Sequence, residues 1–131
     1  MKKFAFDLSS DEAVILLPVL VDGYEIQLAL DTAATQTIID FNVLLMLGYS
    51  PDDAQTTHSL ETANGVLEAQ LFQLSTFEAL GRLHSKFAVF SYDFLQKGLL
   101  STYDGVLGLD FFRFAGRLII DFNEQVLWFS E

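Results

Sequence analysis

The sequence predicts an all-β fold carrying two short helices, and three observations support that class. Short apolar runs recur along the chain and are separated by pairs suited to tight turns, Asp22-Gly23, Asn64-Gly65 and Gly81-Arg82. Two stretches, 41–47 and 110–114, read as helix, and both are brief. With 51% hydrophobic residues and 13 Phe among 131, the chain has the apolar mass for a packed core, which excludes a disordered segment.

Size and composition set further bounds. The expectation is one domain, residues 1–131. Eighteen acidic residues against seven Lys and Arg give a formal charge of −11, so nucleic acid and acidic lipid are excluded as partners on electrostatic grounds. There is no Cys, which removes disulfides, thiolate zinc sites and cysteine nucleophiles together. Met1-Lys2-Lys3 is basic, but Asp7 interrupts the apolar stretch that a signal peptide needs. The run from Ala13 to Val21 is nine residues long and contains Pro18, too short for a membrane-crossing helix. A soluble cytoplasmic protein is the expectation.

Taken in order, Lys2 to Leu8 is a first strand, closed by the polar group Ser9-Ser10-Asp11-Glu12. Ala13 to Val21 is a second, apolar on both faces, with Pro18 requiring an edge or a bulge because it has no N–H for a ladder. Asp22-Gly23 turns the chain into Tyr24 to Leu30. Asp40 is placed to cap a helix through Phe41 to Leu47, stopped by Gly48 and apolar enough to be expected buried. Tyr49 to Asp53 is a loop. A hairpin over Thr57 to Phe72, turning at Asn64-Gly65, sets Glu61 opposite Glu68 and Leu60 opposite Ala69. One face of that ribbon carries Leu60, Leu67, Ala69 and Leu71, and the other carries Ser59, Glu61, Glu68 and Gln70, a pattern suited to a cover over a cleft. Leu74 to Leu80 and Leu83 to Phe90 form a further pair around Gly81-Arg82. Asp110 is read as the cap of a short helix through Phe114, and a final hairpin joins Leu118 to Phe122 with Val126 to Phe129.

The stretch on which chemistry centres is Leu28-Ala29-Leu30-Asp31-Thr32-Ala33-Ala34-Thr35. An apolar strand delivers one carboxylate into a turn of small side chains, where backbone N–H groups and hydroxyls can hold an acid and something else can approach it. This stretch resembles the catalytic loop of retroviral-type, retropepsin-like aspartic proteases, apolar-apolar-Asp-Thr-Gly-Ala, with Ala33 standing where that family has Gly. Val106-Leu107-Gly108-Leu109-Asp110-Phe111-Phe112 resembles the segment before the family's closing helix, and Thr62-Ala63-Asn64-Gly65 sits where the family has its flap. The resemblance implies a closed acid-protease barrel and Asp31 as the catalytic residue, supported by Thr32, Ala33 and Ala34. It also implies a flap of Thr62, Ala63, Asn64 and Gly65 that closes over an extended peptide.

That chemistry uses two carboxylates sharing one proton. None of the other ten Asp is followed by Thr or Ser and a small residue. One chain therefore supplies half a site, and the resemblance implies a two-fold homodimer in which Asp31 meets its own copy. Thr32 would tie the two loops together, and Ala34 would line the floor. The expected function is an aspartic endopeptidase acting on peptide or protein substrates, with no metal and no cofactor. A catalytically inactive dimerisation or peptide-binding module on the same fold is the alternative, with Ala33 as its mark, because a methyl crowds a place where Gly permits unusual backbone angles. An unrelated β-barrel with a coincidental Asp-Thr is a third reading. Retroviral members end with a single strand that interleaves with its twin, whereas Arg117 to Glu131 is long enough for a whole hairpin. That departure leaves open another dimer arrangement or none. His58 and His84 read as structural histidines, and the Phe-rich tail, Phe111, Phe112, Phe114, Phe122, Trp128 and Phe129, reads mainly as core.

Overall fold

Pleated strands turn successive side chains to opposite faces, and the alternation in this chain builds eleven strands among the described residues. The computed structural model describes residues 1–8, 14–62, 65–96, 98, 102–113 and 115–130. The first expected strand is two, β1 (Lys2–Ala5) and β2 (Asp7–Leu8), separated by the buried Phe6. Strand β3 (Ile15–Val21) then turns through Asp22-Gly23 into β4 (Tyr24–Leu30). Both turn residues have positive φ, 51° and 86°, the geometry that matches the twist of a two-residue hairpin. Pro18 lies between Leu16, which pairs with β2, and Leu20, which pairs with β7, so its missing N–H falls where β3 has a free edge.

Strand β5 (Ile38–Asp40) leads into helix α1 (Phe41–Met46), and the Asp40 carboxylate accepts from the Asn42 N–H as expected of a cap. Burial of this helix is only partial. Leu44 is buried, but Leu45 and Met46 are exposed, Met46 at 85%, because α1 presents one side to the core and is too short to be covered by a second layer.

The hairpin is β6 (Thr56–Thr62) with β7 (Gly65–Ala79), and its register differs from the expected one by two residues. Thr62 pairs with Gly65, Leu60 with Leu67, and His58 with Ala69. This alignment sets leucine against leucine, puts Ser59 opposite Glu68 and pairs Glu61 with Val66, so Glu61 and Glu68 are not register partners. Ala63 and Asn64 lie outside the described residues. Strand β7 runs unbroken to Ala79, without the expected interruption before Leu74, and pairs with β8 (Arg82–Tyr92). The turn between them is Leu80-Gly81, not Gly81-Arg82, because burial of the Leu80 side chain holds it at φ 52° beside Gly81 at 72°.

After β9 (Gly105–Leu107) comes α2 (Leu109–Phe112), whose N-cap is Gly108. Asp110 is therefore not the cap; its carboxylate is committed to another loop. The closing hairpin is β10 (Arg117–Asp121) and β11 (Val126–Ser130), and β1 adds to its other side to make a sheet in the order β1-β11-β10. Of the Phe-rich tail, Phe111 and Phe129 are core, Phe112 and Trp128 are half-buried, and Phe122 is 61% exposed at the turn, outside the core expected for it. Phe114 lies outside the described residues.

The larger sheet has the order β2-β3-β4-β9-β5-β8-β7-β6, and β3 also pairs with β7 at Leu20 and Val21. The sheet thus folds back on itself, and that two-residue contact is what represents the expected closed barrel. Its interior holds Leu17, Val19, Leu28, Ile39, Leu44, Phe72, Phe77, Leu107 and Phe111. Among the described residues no helix is long and apolar enough to cross a membrane.

Candidate active site

Residues 31–37 leave the end of β4 and enter β5, yet those two strands are not neighbours. Strand β9 lies between them, parallel to β4 and antiparallel to β5. The loop must therefore pass over the end of β9, and the close contacts of that crossing shape the site. The Asp31 N–H donates to the Leu107 carbonyl (3.0 Å), and the Leu109 N–H donates to the Ala34 carbonyl (2.8 Å). A Cβ on Gly108 would stand 2.6 Å from the Gln36 carbonyl oxygen and 2.9 Å from that of Ala34, so only glycine admits the loop this close.

Within the loop, Asp31 Oδ1 accepts from the Ala33 N–H at 2.9 Å, and the Asp31 carbonyl accepts from the Ala34 N–H at 3.2 Å. The half-buried acid is thus oriented by its own turn, while the side chains of Thr32 and Ala33 face outward. Ala33 is not among the residues with positive φ, so the backbone here has no need of the glycine it replaces.

The far end of the loop is fastened by a residue the sequence did not single out. Thr37 is fully buried; its hydroxyl accepts from the Gly108 N–H (3.1 Å) and donates to Asp110 Oδ1 (2.7 Å). Asp110 Oδ2 also accepts from the Thr37 N–H at 3.0 Å. The acid read as a helix cap is in fact a clasp between α2 and the Asp31 loop.

Beside the loop opens a cleft of about 300 Å3. Ala33, Ala34, Thr35, Gln36 and Ile38 form one side, and Ser59, Leu60 and Leu67 of the β6/β7 hairpin form the other. Tyr92, at the end of β8, also borders it. Leu60 and Leu67 of the ribbon's apolar face are thus turned toward the Asp31 loop, with Ser59 at their side. Of the expected flap residues, Thr62 and Gly65 pair at its outer end. His58 stands edge-on to Phe90 with ring centres 5.2 Å apart, and His84 packs against Phe87 and Phe111. Among the described residues no three of His, Asp and Glu converge as a metal set.

The profile of the aspartyl protease family matches residues 17–111, from the middle of β3 through Asp31 to α2. This chain belongs to the aspartyl protease family. Two solved structures show that this family member has the retropepsin-like fold. A retropepsin-like aspartic protease from Rickettsia conorii superposes with a TM-score of 0.72 at 16% identity, covering 97% of this chain and 98% of that one. EIAV protease, solved with the inhibitor HBY-793, superposes with a TM-score of 0.59 at 17% identity, covering 80% of this chain and 90% of that one. No curated protein sequence matches this aspartyl protease family chain. Membership removes the coincidental β-barrel from consideration.

Proposed function

We propose that the protein is an aspartic endopeptidase whose active site forms only when two copies meet about a two-fold axis, each contributing Asp31. The observation that carries this reading is the setting of Asp31. A strand end and a tightly tied loop hold a single half-buried acid, the next residues of the same loop, Ala33 to Gln36, line an open cleft, and the Thr32 and Ala33 side chains are exposed. A second carboxylate from a twin loop would complete the pair. Two such acids brought within hydrogen-bond reach hold one proton between them. The ionised member takes a proton from water as its oxygen attacks the peptide carbonyl carbon; the protonated member shares its proton with the carbonyl oxygen. Collapse of the tetrahedral intermediate breaks the C–N bond, and the leaving nitrogen takes a proton from the acid pair. Thr32 ties the two loops through its hydroxyl, Ala34 lines the floor, and the Thr62 to Gly65 tip, Ala63 and Asn64 included, closes over an extended substrate added as a strand.

We place the reaction in the cytoplasm, since a chain without Cys stays folded under reducing conditions. The dimer does not use the interleaved termini of retroviral enzymes, because β1, β10 and β11 already make a sheet within one chain. The test is digestion of a denatured protein at acidic to neutral pH, with sedimentation run on the same sample. The expected result is cleavage that a statine-type inhibitor blocks, that Asp31→Asn abolishes, and whose rate per chain rises with concentration through the monomer-dimer range. A dimer in which wild type and Asp31→Asn are equally inert toward denatured protein would instead establish the inactive binding module.

A further inference from the structure

The cleft beside residues 33–36 of the Asp31 loop is small, and its walls carry no charged side chain although the chain as a whole is strongly acidic. About 300 Å3 is the lower bound of pockets that take a whole small ligand, so it has room for one or two side chains of an extended segment. Strand geometry turns alternate side chains of such a segment the same way, so one of them is directed here while its neighbours point elsewhere.

Tyr92 differs from the other residues bordering this space. Ile38 and Leu60 are aliphatic residues within β5 and β6, whereas Tyr92 is the last residue of β8, paired with Asp40, and is the one aromatic ring among the described residues that line the cleft. Its ring lies against Phe94 at 4.8 Å, a contact that limits its rotation. Burial first, and then the nearby Asp40 and Tyr103, push its hydroxyl above the ordinary phenol range, so it remains a neutral group at any working pH of the site. A fixed ring at the end of this wall bounds the space for a substrate side chain, and the neighbouring Asp40 carboxylate opposes an anionic one.

We propose that Tyr92 is a specificity-determining residue that restricts the side chain seated in this cleft to one of modest size. The proposal rests on the peptidase reading for what enters the cleft, but its test does not depend on cleavage. The probes are extended peptides made non-cleavable by a reduced peptide bond and varied at one position among Leu, Trp and Glu, with affinity measured by titration calorimetry. Wild type is expected to bind the Leu peptide more tightly than the Trp or the Glu peptide. In Tyr92→Ala the Leu-to-Trp affinity ratio is expected to fall about tenfold, the scale of a size mismatch in an apolar pocket. Tyr92→Phe, which keeps the ring, should retain the wild-type ratio. An unchanged ratio in Tyr92→Ala with binding retained overturns the proposal, as does absence of any binding by wild type. Should Tyr92→Ala unfold, the smaller change Tyr92→Leu decides by the same ratio. Peptide binding with the expected preferences but no cleavage of ordinary peptides by wild type refutes the peptidase reading and leaves the role of Tyr92 standing.

Discussion

Thr37 holds the Asp31 loop by one hydroxyl that acts in both directions, accepting from Gly108 and donating to Asp110. Thr37→Val keeps the shape but strands the buried Gly108 N–H and leaves Asp110 Oδ1 with only the Phe111 N–H, so it should lower stability by about 2 kcal/mol in urea unfolding. In the peptidase assay it should reduce kcat more than it raises KM, because the loop loses its anchor while the cleft walls persist, and Thr37→Ser should restore much of the loss. The place of Asp31 after the end of a strand, in a tight turn of small residues, was legible in the sequence. Thr37 was not legible, because its partner Asp110 lies 73 positions away and only the crossing over β9 brings them together. Ala33 could be read as a departure but not weighed; only its negative-φ backbone shows that the methyl brings no conformational strain there.

At the scale of elements, the passage of residues 31–37 over β9 demands glycine at Gly108, and the close approach of β5 demands it at Gly105. A Cβ on Gly105 would meet the Ile38 carbonyl and lie 2.9 Å from Ile39 Cα, backbone atoms of the adjacent strand that cannot rotate away. Gly105→Ala should therefore destabilise by about 3 kcal/mol or more, whereas Gly23→Ala, with nothing near its Cβ, should lose only the smaller cost of its positive φ. Comparing the two midpoints of thermal unfolding checks this ordering. The β3/β4 hairpin, its Asp22-Gly23 turn and the Asp40 cap followed from local chemistry and were readable, whereas β5 and β9, three residues each, are too short for a local pattern to mark them. The β6/β7 register was not, because Asn64-Gly65 is a strong local turn signal and pairing of Leu60 with Leu67 outweighed it. The Leu80-Gly81 turn escaped for the same reason: burial of one leucine side chain decided a conformation that its backbone alone disfavours.

At the scale of the whole molecule, Tyr49 joins parts of the chain that are distant in sequence. Its hydroxyl donates to Asp22 Oδ2 at 2.6 Å and accepts from the Ser75 N–H at 3.3 Å, while Asp22 Oδ1 accepts from Thr76 at 2.9 Å. Burial, and then the bond to Asp22, raise the Tyr49 hydroxyl above its ordinary 10.0. A group that binds its proton more tightly when folded contributes stability that is complete below the unfolded value and lost as pH rises through the folded one. Wild type should accordingly lose stability above about pH 10 more steeply than Tyr49→Phe, which at neutral pH should already be weaker by about 1 kcal/mol. Denaturation midpoints for both proteins across neutral to alkaline buffers give the comparison. The terminal sheet has an effect of another kind. Lys2 pairs with Phe129, so the two ends of the chain lie side by side. A linker of a few residues could join them into a covalent circle, and the backbone could then be opened at an exposed turn such as 122–125 to give a permuted protein with the Asp31 loop undisturbed.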